Sequence, residues 1–238
     1  SRFWFCLNGV AWYLSVQAFL YAIFPPLLAV LKKADARKLR CIAAAIFCAQ
    51  CLFSLAVWKA GLSGKAAFYL TYLCPLFRAG DFTISCCMGC LYHSRKQESA
   101  LPRSAFSLLE LAAVLLAGGS LFIAAKQVGV LGAVAFRYNV LFTPSAVLLV
   151  WLLAVGKGVI SRLLSAKPFL WLAGLSPYGF LIHQVLIRYM EWTADKFNLT
   201  VQPVIWTLTV YLLTLCLSSF YKELERRVRQ RHAKTGAQ

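Results

Sequence analysis

The sequence predicts an all-α fold, a polytopic transmembrane helix bundle of about seven crossings. Three observations lead there. Of 238 residues, 61% are hydrophobic and only 14% are charged, whereas soluble globular domains carry roughly 25% charged residues. Apolar runs long enough to cross a bilayer, which takes roughly 20 residues per helix, recur along the chain. The loops between these runs alternate between strongly and weakly basic, the pattern that orients membrane proteins.

Crossings are expected at about 9–31, 41–58, 66–92, 105–125, 138–156, 168–191 and 203–221. The first contains AWYLSVQAFLYAIFPPLL, Ala11 to Leu28, with Ser15, Gln17 and Tyr21 inside an otherwise apolar run. Pro25 and Pro26 remove two amide donors and are expected to bend it. Polar groups in hydrocarbon are costly unless something satisfies them, so this helix is expected to face protein or a wet cavity rather than lipid. In the third crossing Pro75 interrupts AAFYLTYLCPLF, and Arg78 and Asp81 follow before ISCCMGCLY resumes the apolar run. That pattern reads as one long kinked helix or as a re-entrant piece followed by a short helix. The sixth carries Ser176 and Pro177 near its start, which mark a helix start or kink, and His183 near its middle. Beyond the seventh, YKELERRVRQRH is expected to continue as a basic helix at the membrane surface. Residues 1–221 thus form one transmembrane domain and 222–238 a basic cytoplasmic tail. Asn198-Leu199-Thr200 matches a glycosylation sequon.

The 25 Lys and Arg outnumber the 8 Asp and Glu, for a net charge of +17. Seventeen of the 25 lie on one set of loops: Lys32 to Arg40, Arg95 to Arg103, Lys157 to Lys167, and the tail from Lys222 to Lys234. That side is expected to be cytoplasmic, with the C-terminus inside and Ser1 outside. An odd number of crossings with an outside start is expected of the C-terminal part of a longer protein. The charge is therefore an orientation signal with membrane lipids as partners, and nucleic acid is not expected as one. Two C-x-x-C pairs, Cys48/Cys51 and Cys87/Cys90, fall within apolar helical runs, where cysteine serves as a small hydrophobe; no metal site is expected.

Ionisable groups inside the spans are the functional candidates. Arg78 and Asp81, at i and i+3, share a helix face and can pair. They read either as an ion pair capping a broken helix, or as an Arg78 that binds an anionic or oxygen-rich acceptor with Asp81 orienting it. His183 needs hydrogen bonds at mid-membrane, and Ser176, Tyr178 and His183 can reach one cavity, depending on helix rotation. Glu110, near the inner end of the fourth crossing, ranks below His183. No G-x-S-x-G, Walker A or H-E-x-x-H motif is present.

Four stretches together resemble one family, the acyltransferase-three family of membrane-embedded O-acyltransferases. WYLSVQAFLYAIFP, Trp12 to Pro25, is similar to the family's WSLSVEEQFYLIFP through Trp12, Leu14, Ser15, Val16, Tyr21, Phe24 and Pro25. PLFRAGDFTISCCMGCL resembles P-x-x-R-x-x-E-F-x-x-G-x-x-x-G through Pro75, Arg78, Asp81, Phe82 and Gly89. LAGLSPYGFLIHQVL resembles L-G-K-I-S-Y-S-L-Y-L-I-H-x-P-V through Gly174, Ser176, Leu181, Ile182 and His183, and SSFYKELERR resembles the family's closing S-x-x-x-Y-R-x-I-E-R-P. Gln17 stands where the family has an acidic residue, Phe19 replaces a glutamine, Asp81 a glutamate and Arg227 a proline. Gln17 matters most, since an amide cannot act as a general base.

The resemblance implies acyl transfer, most often acetyl transfer, from a cytosolic acyl-CoA to a hydroxyl of a cell-surface saccharide or lipid-linked glycan. Acyl-CoA is then a donor substrate, and no bound cofactor is expected. It implies a multi-pass cell-membrane protein. It also implies that this chain is the later part of a domain of about ten crossings, without the first helix that carries the family's catalytic histidine. His183, Arg78 and Asp81 are the catalytic candidates, and Trp12, Ser15, Gln17, Tyr21 and Tyr178 the substrate-binding ones. The loop from Lys32 to Arg40 is placed to attract the CoA phosphates. Interrupted helices, a mid-membrane histidine and an Arg/Asp pair also fit a transporter or flippase for a lipid-linked sugar, and an inactive fragment is a third reading.

Overall fold

The computed structural model describes residues 11–94, 101–198 and 202–235. Arg95, Lys96 and two residues of the sequon, Leu199 and Thr200, lie outside the described residues. Every regular element among those described is helical, and they fall into two units, Ser15–Leu164 and Ser1–Leu14 with Ser165–Gln238.

In the larger unit, α1 (Ala11–Leu31), whose first residues group with the other unit, runs as one helix through Pro25 and Pro26. A tight turn leads to Asp35, whose Oδ1 accepts from the Lys38 amide at 2.7 Å and so caps α2 (Ala36–Lys59). Ser63 caps the five-residue α3 (Gly64–Phe68) in the same way. A π-helical turn over Tyr69–Leu73 follows, and Cys74 is extended, as the residue before a proline must be. The third expected crossing is thus a short lead-in, a break at Cys74 and the 20-residue α4 (Pro75–Ser94).

Next come α5 (Arg103–Lys126), a 3-10 turn (Val130–Gly132), α6 (Val134–Arg137), α7 (Thr143–Val155) and α8 (Val159–Leu164). Gln127 closes α5 in the left-handed conformation, and Gly156 does the same for α7. One buried cluster, Val57, Ala67, Ala135, Phe136 and Val140, joins the end of α2 to α3 and α6. Another, Leu31, Leu39, Cys87 and Leu91, joins the end of α1, the start of α2 and the end of α4. The close approach of α2 and α4 depends on Gly80, where a Cβ would lie only 2.7 Å from Gln50 Nε2.

In the smaller unit α9 (Lys167–Ala173) meets α10 (Ser176–Phe197) at a 58° bend across Gly174 and Leu175. α10 packs on α11 (Pro203–Thr235), which continues without a break into the basic tail. At Gly179 a Cβ would sit 3.5 Å from Thr214 Cγ2 and 3.6 Å from Ser218 Oγ, so α11 lies close against the backbone of α10 there.

Four described helices are long and apolar enough to cross a membrane: Trp12–Leu31, Ala36–Lys59, Arg103–Lys126 and Pro203–Gln230, with a fifth if the bent α9–α10 pair counts as one span. By length and composition this falls short of the seven crossings expected. Two expected crossings account for the difference. The third is broken at Cys74 and carries Arg78 and Asp81. The fifth reduces to the 13 residues of α7, about 20 Å of helix against the roughly 30 Å of a hydrocarbon core.

Candidate active site

The break before α4 creates the site. Arg78, in the first turn of α4, reaches back to the π turn and donates through Nε to the Tyr72 carbonyl at 2.8 Å. Its guanidinium stacks 4.3 Å over the Tyr72 ring. Nη1 donates to Asp81 Oδ2 at 3.1 Å and to Asn139 Oδ1 at 3.4 Å. Three of the five guanidinium donors are thus committed to holding it in place, and the two on Nη2 carry no hydrogen bond among the described residues. The pair is neither open nor sealed, with side-chain exposures of 21% for Arg78 and 25% for Asp81. The pair holds the broken end of the helix, as one of the two readings from the sequence has it.

Asp81 is held from the other side. Gln50, buried in α2, donates through Nε2 to Asp81 Oδ1 at 3.1 Å and to the Phe77 carbonyl at 3.0 Å. Asn139 is also buried, and among the described residues its Nδ2 meets no acceptor at hydrogen-bond geometry. Sequence reasoning missed both amides. Gln50 did leave a signal, a lone amide in an otherwise apolar stretch of the second crossing, Ile42 to Val57. Asn139 left none, because its loop only acquires meaning once it lies against α4.

Arg78 and Asp81 stand at the head of a cavity of about 430 Å³ between α4 and α7. It runs along α4 from Arg78 to Tyr92, about 20 Å of helix. Its walls are largely apolar, from Ile84 and Met88 on one helix to Val147 and Trp151 on the other. Tyr92 donates to the Ala154 carbonyl at 2.8 Å at the far end. A second cavity of about 690 Å³ opens on the other side of α4, lined by Lys32, Asp35, Cys86, Cys90 and His93. The two share Ser85 and Gly89, and a Cβ on Gly89 would meet nothing within 4 Å. One apolar slot with a few convergent polar groups is the form that small-molecule sites take.

On α1, Gln17 Nε2 donates to the Tyr21 hydroxyl at 2.6 Å, while Ser15 and Tyr21 are exposed. Of the two surroundings expected for the polar side of this helix, protein or a wet cavity, the described residues place no protein over Ser15 and Tyr21. Gln17 and Tyr21, one turn apart, satisfy each other instead. Trp12, half-buried, packs edge-on with Tyr13.

In the smaller unit, Tyr178 hydrogen-bonds Glu225 and so ties α10 to α11. Ser176 and His183 share a face at seven-residue spacing, but Tyr178 lies about 140° around the helix from His183. His183 Nδ1 lies 3.0 Å from the Gly179 carbonyl. A carbonyl only accepts, so Nδ1 is the donor in that contact.

Glu110 has a structural post. It is fully buried, and its Oε2 accepts from the Ile160 amide at 2.8 Å and the Ser161 amide at 3.3 Å at the start of α8. Ser107 Oγ adds the Val159 amide at 3.2 Å. Gly158 leaves the room, since a Cβ there would fall 2.1 Å from the Glu110 carboxylate.

Among the described residues, no group of three or more His, Cys, Asp or Glu is placed to hold a metal ion. No curated protein and no solved structure matches the chain. A family model described as an acyltransferase domain matches residues 1–222. That match covers the broken third helix with its Arg78–Asp81 pair, the α4–α7 cavity and most of α11, and the chain belongs to the acyltransferase-three family.

Proposed function

We propose that this membrane acyltransferase moves an acyl group, acetyl in the first instance, from a cytosolic acyl-CoA to a hydroxyl of a cell-surface saccharide or lipid-linked glycan. The observation that carries the reading is Arg78. It is fixed by Tyr72, Asp81 and Asn139, yet keeps two donors on Nη2 at the head of an apolar slot. As the acceptor oxygen attacks the thioester carbon, negative charge grows on the thioester oxygen, and donors already in place stabilise it without reorganising. The new ester C–O bond forms as the C–S bond breaks and the CoA thiol leaves. Apolar walls along α4 and α7 exclude the water that would otherwise hydrolyse the thioester. The acceptor hydroxyl gives up its proton as the ester bond forms, and the motif that ends in His183 supplies the candidate proton acceptor.

The topology completes the reading. The basic loops face the cytosol, with the C-terminus there too and the membrane crossed seven times in the cell envelope. α4 crosses because Arg78 and Asp81 neutralise each other. The cavity that Lys32 borders, beside the basic loop to Arg40, is then on the donor side.

The test compares cells with and without the gene, and cells carrying Arg78→Ala, for the O-acyl content of their surface glycans. Ester groups present only with the unaltered protein are the expected result. Equal O-acyl content in all three overturns the proposal.

A further inference from the structure

Tyr138 borders two cavities. One is the slot headed by Arg78 and Asp81. The other is a shallow recess of about 620 Å³ walled by Ser63, Lys65, Phe68, Val134 and Arg137. Ser63 and Lys65 follow α2 at its end remote from the Lys32–Asp35 turn, and the buried cluster of Val57, Ala67 and Phe136 places Arg137 at that same end.

Among the described residues no carboxylate oxygen comes within 4.0 Å of Lys65 or Arg137. Arg137 is held by its own neighbour, with Nη2 donating to the Tyr138 hydroxyl at 3.0 Å and the guanidinium 4.8 Å from that ring. Its Nε is buried and meets no acceptor among the described residues. A buried guanidinium N–H without an acceptor is costly and signals a missing group. Both cations also lie on the side that the charge distribution leaves poor in Lys and Arg.

The recess is also aromatic. Phe68, Tyr72 and Tyr138 form a mutual cluster with ring centroids 4.9 to 5.5 Å apart. Such rings offer apolar faces against which the C–H face of a sugar can pack, as well as a polar tip.

We propose that this recess is an acceptor subsite and that the acceptor is an anionic saccharide, bearing a carboxylate or a phosphate. The anion sits on Arg137 and Lys65 and the sugar ring rests on Phe68 and Tyr138. The shared wall at Tyr138 then turns a hydroxyl toward Arg78 and Asp81. This assignment rests on the acyl-transfer reading of the neighbouring cavity, but its test measures binding alone.

The full chain, purified into phosphatidylcholine nanodiscs, is titrated with methyl glucuronide, glucose 6-phosphate, methyl glucoside and inorganic phosphate, with binding followed by saturation-transfer NMR. At least one charged sugar is expected to bind about tenfold or more tighter than both the neutral sugar and phosphate, and which one it is identifies the anion. Arg137→Gln is expected to abolish that advantage and Arg137→Lys to restore part of it. Lys65→Gln, at an exposed position where folding is not at issue, is expected to weaken charged-sugar binding severalfold and leave the neutral sugar unchanged. Equal binding of charged and neutral sugars, phosphate binding as well as the sugars, or indifference to Arg137→Gln and Lys65→Gln overturns the proposal. Charged-sugar binding without any acyl transfer would refute the proposed function and leave the subsite standing. Acyl transfer without charge preference would do the reverse.

Discussion

Gln50→Leu isolates the contact between α2 and the ion pair. Leucine has nearly the volume of glutamine and no polar atom. The change removes the hydrogen bond to the Asp81 carboxylate at 3.1 Å and the one to the Phe77 carbonyl at 3.0 Å. A hydrogen bond to a charged group contributes about 1.5–3 kcal/mol and a neutral one about 1 kcal/mol. Against this, Gln50 Oε1 is itself buried without a partner, and its removal returns about 1 kcal/mol. The net loss is then about 1.5–3 kcal/mol, or roughly 3–12 °C in melting temperature for a chain of this size. Activity per folded molecule should fall about tenfold, because Asp81 loses its anchor on Oδ1 and Arg78 is no longer held square to the cavity. The assay is a fluorescence melt in detergent beside acyl transfer on the same preparation. Gly80→Ala is a second probe of the same contact, since its Cβ would fall 2.7 Å from Gln50 Nε2. Gly80→Ala should destabilise the unaltered protein and be tolerated in a Gln50→Ala background, a coupling that a double-mutant cycle measures. A Gln50→Leu protein that melts and transfers acyl groups like the unaltered one would refute the argument that Gln50 positions the pair.

Arg78→Lys keeps the charge but cannot reproduce the fork to Tyr72, Asp81 and Asn139; acyl transfer should drop by about 10²-fold with little change in expression, as single-turnover kinetics would show. Glu110→Ala uncaps α8 and leaves the Ile160 and Ser161 amides unmet, costing about 3 kcal/mol in a melt while activity per folded molecule stays within about twofold. Gly158→Ala should copy that loss, because its Cβ displaces the same carboxylate. Tyr178→Phe removes the tie from α10 to Glu225 and should show as faster proteolysis of the α11 tail.

Much was legible from the chain alone. Sixty-one percent hydrophobic residues and loops that alternate between strongly and weakly basic point to a helical membrane protein before any coordinate is known. The pairing of Arg78 with Asp81 was also legible, because residues three apart share a face on any α-helix and the periodicity itself brings them together. The four motifs, read in order, led to the family. Partners distant in sequence were not legible. Gln50 meets Asp81 across 31 residues and Asn139 meets Arg78 across 61, and neither separation carries a period. Those contacts depend on how closely two helices approach, which at Gly80 is decided by the absence of a single Cβ. Glu110 makes the same point from the other direction. An acidic residue in an apolar run reads as a functional candidate until the fold brings the start of α8 beneath it and makes it a cap. Composition and periodicity are properties of a segment and survive any packing. A site assembled from α2, α4 and the loop before α7 exists only once those segments pack, and so only the tertiary structure decides it.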